Sequence, residues 1–176
     1  MVVPMAPSLP ADTERLRFRP LVMDDVDELV ALHEDPLIAR FLGSRDRAWL
    51  ERLIGMVDEE WAERGHGRVA VVERESGRFL GRTGLKHWQQ FGETEVSWVL
   101  HADARGKGYA TEAGAAALRW GFEQFQPPYL MAMIQPDNAA SIRVAERLGM
   151  SPIRSDRLLG EDVIVYALSR EDWAGS

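Results

Sequence analysis

Residues 101–125, HADARGKGYATEAGAAALRWGFEQF, place a glycine-rich basic loop directly before a segment of small side chains. In that segment small and apolar residues recur at helical intervals, at Ala110, Ala113, Gly114, Ala117, Leu118, Gly121, Phe122 and Phe125. This spacing predicts a helix with one buried face, and its small residues let the backbone pack closely on a sheet. The preceding stretch, ETEVSWVLH, is typical of a strand. The sequence therefore predicts a strand, a glycine loop and a closely packed helix in succession.

The loop from Arg105 to Ala110 is suited to binding an anion. Its two glycines let successive amide groups point inward, and the helix N-terminus adds roughly half a positive charge. Together these features predict an anion site, most naturally for a phosphate, although a simple turn is the alternative. Two phosphate motifs do not fit: the Walker pattern needs glycine at His101 and Ser or Thr at Gly108. The dinucleotide pattern needs glycine at Thr111.

The size and charge of the chain limit its class. A length of 176 residues suits one domain with a real core. Hydrophobic content of 45% and charged content of 28% are ordinary for a soluble globular protein. The formal charge of −7 argues against nucleic acid or an anionic membrane as a partner and fits cationic acceptors better.

Cysteine is absent, which excludes disulfides, thiol nucleophiles and cysteine-ligated metals. The four histidines do not form a metal-binding spacing, so no metal is expected. We find neither a signal peptide nor a membrane span, and a cytoplasmic location is the default expectation.

Periodicity predicts one mixed α/β domain over residues 12–173, after a flexible segment at 1–11. Strands are expected at 15–21, in a hairpin over 67–88 that turns at Ser76-Gly77, at 93–101, at 129–135 and in a closing hairpin over 156–173. Helices are expected at 24–35 with Asp24 as cap, at 45–64 ended by Gly65 and Gly67, at 110–125, and from 138 to a left-handed Gly149. Residues 33–43 are expected to link the first two helices, and Pro36 to help end the first.

The loop resembles the pyrophosphate-binding motif of the GNAT superfamily of N-acetyltransferases: Arg or Gln, two residues, Gly, one residue, then Gly or Ala. Arg105, Gly108 and Ala110 fill its defined positions. EVSWVLHADARGKGYATEA resembles the family's strand–loop–helix core, and NAASIRVAERLGM resembles its next helix. LRFRPL and HEDPLIARFLG resemble the opening of the branch that acetylates N-termini of ribosomal proteins. The resemblance implies a single α/β (α+β) domain, with a mixed central sheet of about six to seven strands flanked by about four helices.

The resemblance also implies acetyl-CoA as the acetyl donor. The loop would hold its pyrophosphate through Arg105, Gly106, Lys107, Gly108, Tyr109, Ala110 and Thr111. The backbone near Val99 and Leu100 would pair with the pantetheine arm like an added strand. Asn138 and Ser141 would face that arm from the other side. Asn138 equally fits a helix N-cap, and Ser141 a residue of the first helical turn.

Acetyl transfer to an amine requires a base, an oxyanion donor and a proton for the thiolate. A lysine amine, with a pKa of about 10.4, needs the base more than an α-amine at about 7.7–8.0. Glu95 is the first candidate, because related enzymes often carry a glutamate entering the central strand, and Glu93 is the second. Either also fits a solvated carboxylate at a strand start. Backbone amides near Val99 are the expected oxyanion donors.

One position departs from the family pattern. Many relatives carry a tyrosine acid seven residues after the Asn138 position, where this chain has Ala145. A thiol pKa of about 8.5 makes the thiolate a fair leaving group near neutral pH. Ser141 or water is the expected substitute for the tyrosine as the acid, and Tyr109 is a more remote candidate.

The expected function is N-acetylation of a primary amine, on a protein N-terminus or a small molecule. A catalytically silent acyl-CoA-binding or sensor module is the alternative, and a nucleotide-binding protein is a third. Trp88 and Trp98 are expected near the acceptor pocket, and a homodimer is possible from the resemblance.

Overall fold

Seven strands form one mixed sheet in the computed structural model, which describes residues 8–175. The strands are β1 (Leu16–Pro20), β2 (Arg68–Glu73), β3 (Phe79–Trp88), β4 (Glu93–Leu100), β5 (Tyr129–Ile134), β6 (Ser151–Leu158) and β7 (Glu161–Ser169). Their order across the sheet is β1-β2-β3-β4-β5-β7-β6. The β4–β5 pair is parallel and every other neighbouring pair is antiparallel. The predicted mixed α/β class and strand number are confirmed.

The helices are α1 (Val26–Glu34), α2 (Pro36–Leu42), α3 (Arg47–Arg64), α4 (Tyr109–Phe125), α5 (Ala139–Arg147) and α6 (Arg170–Ala174). The first three cover one face of the sheet, where Leu29, Leu53 and Ala70 share a buried cluster. Helices α4 and α5 cover the other face, where Leu118 and Ala145 pack with the strands. Two short helices, α2 and α6, bring the number above the four that the sequence predicts.

Helix α2 occupies the segment predicted as a link. Asp35 caps it by accepting hydrogen bonds from the backbone N–H groups of Leu37 (2.8 Å) and Ile38 (3.4 Å). Pro36 takes the first helical position, where its missing N–H costs nothing. The prediction was therefore incomplete, because a proline after an aspartate begins a helix as readily as it ends one.

The predicted cap at Asp24 is also wrong. Helix α1 begins at Val26 after a short 3₁₀ turn, and the carboxylate of Asp25 accepts from the backbone N–H of Val22 at 2.9 Å. Gly65, with a φ of 70°, ends α3 in the left-handed conformation. Gly67 lies beyond that end, and its role is close packing, because a Cβ there would come within 2.7 Å of the Trp61 ring.

Both hairpins form. Gly77, with a φ of 72°, turns β2 into β3, and Leu159-Gly160 turn β6 into β7. The closing hairpin begins at Ser151 rather than at residue 156, and α6 replaces its expected last residues. Gly149 has a φ of 81°, which confirms the left-handed end predicted after α5.

The small face of α4 packs closely, as predicted. A Cβ on Gly121 would lie 2.8 Å from Leu130 and 3.2 Å from Leu85, and one on Gly114 would lie 2.8 Å from Leu148. These glycines set the distance between α4 and the strands. A Cβ on Gly114 would also lie 3.3 Å from the Trp98 ring, so α4 packs closely on β4 as well.

Residues 1–7 of the predicted flexible segment lie outside the described residues. Ser8 accepts a hydrogen bond from Trp120 Nε1 at 3.3 Å, and Leu9 packs against the core. The domain boundary at residue 12 stays a prediction. No helix between residues 8 and 175 is both long enough and apolar enough to span a membrane.

Candidate active site

The parallel strands β4 and β5 share a ladder of one residue pair, Glu95 opposite Met131. Beyond it the strands separate, and a cleft of about 570 Å³ opens between them. Strand β4 lines it with residues 95–99 and β5 with residues 132–134. Most other lining residues come from β2, β3, the β6–β7 hairpin and helices α1–α3 and α5. A strand edge whose neighbour has moved away keeps unpaired N–H and C=O groups. The cleft therefore offers main-chain hydrogen bonds to an extended ligand.

The pairing of β4 with β3 decides which backbone groups face the cleft. The N–H of His101 donates to Leu80 O at 2.9 Å, so that pair is a hydrogen-bonded one. Hydrogen-bonded pairs alternate along an antiparallel ladder, which directs the N–H and C=O of Val99 into β3. The groups directed away from β3 belong to Trp98, which lines the cleft, and to Leu100, whose C=O accepts from Arg105 at 3.4 Å. The pairing and oxyanion roles expected near Val99 and Leu100 stay predictions, and the register favours Trp98 over Val99 for them.

Glu95 lies at the closed end of the cleft, where the two strands part. Its carboxylate accepts a hydrogen bond from Trp88 Nε1 at 2.7 Å and one from the backbone N–H of Met133 at 3.2 Å. Burial raises the pKa of Glu95, against the opposing effects of these two donors and of the charges of Arg68 and Lys86. A carboxylate with a raised pKa is a better match to a proton-accepting role near neutral pH.

Glu93, the second candidate base, has a different environment. It accepts from the hydroxyl of Tyr129 at 2.6 Å and from Arg154 Nη1 at 3.0 Å, and it is buried. The bond to Arg154 lowers the pKa of Glu93 and keeps it ionised in an ion pair. Glu93 is outside the lining of the cleft, so the geometry favours Glu95.

The glycine loop lies where β4 ends and α4 begins. Gly106 and Gly108 have φ values of 74° and 82°, and a Cβ on Gly106 would meet nothing within 4 Å. Gly108 is the N-cap of α4 and makes no side-chain cap, so no side chain at that position occupies the first-turn N–H groups, which suits an anionic ligand. Arg105 donates to Asp35 at 2.8 Å and thereby ties the loop to the start of α2. The two positive φ values are consistent with the expected glycine loop, and anion binding there stays a prediction.

Asn138 and Ser141 both line the cleft from α5. Asn138 caps that helix, because its side-chain oxygen accepts from the N–H of Ser141 at 3.2 Å, and its amide nitrogen is not used in the cap. Ala145 is fully buried in the core. Tyr109 donates its hydroxyl to Glu73 at 2.6 Å, outside the cleft lining, so the geometry argues against Tyr109 as the acid.

Residues 15–151 match the family model described as the acetyltransferase (GNAT) domain. The chain belongs to the GNAT acetyltransferase family. It is 31% identical to the uncharacterized protein YkkB of Bacillus subtilis over 160 residues, which cover 88% of this chain and 92% of YkkB.

Solved GNAT structures agree with the fold. An acetyltransferase from Agrobacterium tumefaciens has a TM-score of 0.80 and 33% identity, over 92% of this chain and 95% of that one. The ribosomal-protein-S5-alanine acetyltransferase of Vibrio fischeri has a TM-score of 0.76 over 94% of this chain and 99% of that one. Its identity is 18%, so this likeness shows the fold alone.

GNAT enzymes take their acetyl group from acetyl-CoA. The residues present fit that donor in two respects. The exposed N–H groups at the start of α4 suit a pyrophosphate, and the unpaired edge of β4 suits an amide-containing arm.

Five basic residues of the cleft were not predicted from the sequence: Arg40, Arg45, Arg68, Arg82 and Lys86. Arg82 and Lys86 alternate with Gly84 on one face of β3, the face turned toward α1–α3. A signal was present, because basic residues at inward positions of a central strand are rarely placed there for packing. Trp88 and Trp98 line the cleft, as expected.

Proposed function

We propose that the protein transfers the acetyl group of acetyl-CoA to a primary amine, on a protein N-terminus or a small molecule. The amine attacks the thioester directly, through a tetrahedral intermediate. The observation that carries this proposal is the position of the Glu95 carboxylate at the point where β4 and β5 separate. A proton acceptor at the closed end of a cleft is suited to the reacting end of a ligand bound along β4.

Donor binding is assigned to the loop and to the strand edge. The amides from Arg105 to Thr111 would hold the pyrophosphate, and the C=O of Trp98 and the N–H of Leu100 would pair with the pantetheine arm. Asn138 faces the same cleft with an amide nitrogen that its capping role does not use. Acetyl-CoA supplies an activated thioester, so the chain itself needs no nucleophile.

The acceptor amine must lose a proton, and Glu95 accepts it directly or through a water molecule. Its raised pKa brings proton affinity closer to neutral pH. The N–H of Trp98, which the strand register directs away from β3, would stabilise the oxyanion of the tetrahedral intermediate. When the intermediate collapses, the C–S bond breaks and the sulfur takes the electron pair.

Ser141 is the protein group that we assign to protonate the leaving sulfur. It lines the cleft, and its backbone N–H is bound by Asn138, which fixes the start of α5. The buried Ala145 offers no proton. A homodimer stays a prediction.

The test combines binding with turnover. Calorimetric titration with acetyl-CoA is expected to give one site per chain, and thiol release is expected with at least one member of a panel of primary amines. Binding without release by any amine would identify the silent acyl-CoA module instead. Preference for ATP or NAD over acetyl-CoA would overturn both.

A further inference from the structure

Three basic side chains lie on the sheet face that α1–α3 cover. Arg68 on β2 faces Gly84, Arg82 on β3 faces Val99, and Lys86 faces Glu95 across the β3–β4 ladder. All three basic residues line the same cleft as Glu95. Although the whole chain has a formal charge of −7, the sheet face under α1–α3 therefore carries a local group of positive charges.

Arg82 is the unusual member of this group. Its side chain is 7% exposed, and it has no hydrogen bond or ion pair with any residue from 8 to 175. Burial lowers the pKa of Arg82 to about 9, and the charge of Arg68 lowers it further, against the opposing effect of the Glu95 carboxylate. A buried guanidinium with no hydrogen-bonded counter-ion is costly, and its five donors match a planar anion.

The carboxylates near these cations already have hydrogen-bond or ionic partners. Glu95 accepts from Trp88 and Met133 rather than from a cation. Glu60 lies 3.5 Å from Arg68, which is a loose ion pair. On this sheet face three cations, Arg68, Arg82 and Lys86, thus lie near two carboxylates, Glu60 and Glu95, and these five groups carry an excess of one positive charge.

Lys86 contributes a positive charge that its contact with Trp88 does not neutralise. Its amine lies over the Trp88 ring, 4.4 Å from the centroid, on the same side of the cleft as Glu95. A cation–π contact holds the ammonium and leaves its charge in place. Arg82, four residues earlier on β3, is therefore the group with both the charge and the free donors.

We propose that the acceptor is a primary amine that carries a carboxylate, with the carboxylate bound to Arg82 and the amine beside Glu95. The inference rests on the proposed function and narrows its substrate class. A single carboxylate neutralises the one uncompensated charge, and a guanidinium binds it through two parallel hydrogen bonds. The same contact orients the amine toward the donor.

Matched pairs of acceptors test this proposal. Thiol release is measured with alanine against alaninamide, and with 4-aminobutanoate against 4-aminobutanamide. At least one acid is expected to exceed its amide in kcat/KM by about 10- to 100-fold, as for one charge-assisted contact. The amine of an α-amide is less basic than that of the acid, so more of it is unprotonated at a given pH. Amine basicity alone would therefore favour the amide. O-Phosphoethanolamine serves as the phosphate probe.

Arg82→Met is the decisive variant, and Arg119→Met on the exposed side of α4 is its control. In Arg82→Met the ratio of kcat/KM for the acid to that for its amide is expected to fall to about one. Arg119→Met is expected to preserve both rates. Arg82→Lys, which keeps a positive charge, is expected to recover part of the preference. Thermal unfolding of each variant, with and without acetyl-CoA, confirms that the donor site is intact.

The outcomes separate the two proposals. Equal rates for acids and amides, unchanged by Arg82→Met, would overturn the carboxylate assignment and leave the acetyltransferase function standing. A phosphate-bearing amine that exceeds both acids, with that advantage lost in Arg82→Met, would replace carboxylate by phosphate. Absence of thiol release with every amine would instead count against the proposed function itself.

Discussion

Met133 donates its backbone N–H to the side chain of Glu95, at 3.2 Å, just beyond the one residue pair that joins β4 and β5. In a continued parallel ladder that N–H would bond to a main-chain carbonyl of β4. The carboxylate takes the place of that carbonyl. The group that we assign as the base is thus positioned by the same feature that opens the cleft.

Replacing Glu95 by Gln is expected to lower turnover by about 10²–10⁴-fold and to leave acetyl-CoA affinity unchanged. Because the pKa of Glu95 is raised, the wild-type rate falls as pH decreases through that raised value, where the carboxylate becomes protonated. Glu95→Gln is expected to lose this limb of the kcat–pH profile. An unchanged rate at every pH would remove Glu95 from the base role.

Trp88→Phe offers an independent test of the same carboxylate. The indole N–H bond, at 2.7 Å, lowers the pKa of Glu95. Its removal is expected to raise that pKa and to move the acidic limb of the kcat–pH profile to higher pH. A shift to lower pH would contradict the assignment of that limb to Glu95.

Gly106→Trp is expected to weaken acetyl-CoA binding at least about tenfold, because the side chain projects from the loop that we assign to the pyrophosphate. Gly77→Trp in the β2–β3 turn is the matched control. The two glycines have φ values of 74° and 72°, and neither Cβ would meet an atom within 4 Å. Both variants carry the same backbone strain, so calorimetry isolates the effect on the ligand. Equal Kd values in the two would refute the loop assignment.

Asn138→Asp separates the two roles of that residue. Aspartate caps a helix as well as asparagine does, so the free energy of unfolding is expected to stay within about 0.5 kcal/mol. The amide N–H₂ donor is lost, and acetyl-CoA binding is expected to weaken. Asn138→Ala is expected to cost about 1 kcal/mol of stability in addition. Full affinity in the Asp variant would leave Asn138 with its capping role alone.

Gly81→Ala and Gly55→Ala are expected to have opposite effects in urea unfolding. At Gly81, with a φ of 148°, a Cβ would lie 2.0 Å from the carbonyl oxygen of Val99, and about 3 kcal/mol or more of destabilisation is expected. At Gly55, inside α3, a Cβ would meet nothing within 4 Å, and a gain of about 0.5–1 kcal/mol is expected. Comparable stabilities would contradict the close contact between β3 and β4.

Local patterns predicted most of the fold because each depends on near neighbours. The stripe on α4, the turn at Gly77 and the left-handed Gly149 are fixed by a few adjacent residues. Helix α2 was missed because an aspartate and a proline can end one helix and begin another, and the choice depends on packing. Ionic partners could not be predicted either, because partners such as Asp35 and Arg105 lie seventy positions apart in the chain.

The site was predicted less completely for a related reason. The family resemblance led to Glu95 and to the loop, but the direction of the Val99 backbone depends on strand register. The unpaired state of Arg82 depends on where every other acid of the cleft lies. Such properties belong to the assembled sheet and have no signature in a short stretch of sequence.

The one-pair junction between β4 and β5 also has a mechanical consequence. Strands β1–β4 form an antiparallel half-sheet on one side of it, and β5–β7 form a second on the other side. Within the sheet, very few main-chain hydrogen bonds join these two half-sheets, or plates. A molecule that pairs with the edge of β4 and also contacts β5 would add bonds across this junction. Amide hydrogens of Trp98 and Leu100 would then exchange with solvent more slowly, and the two plates would unfold together rather than in turn.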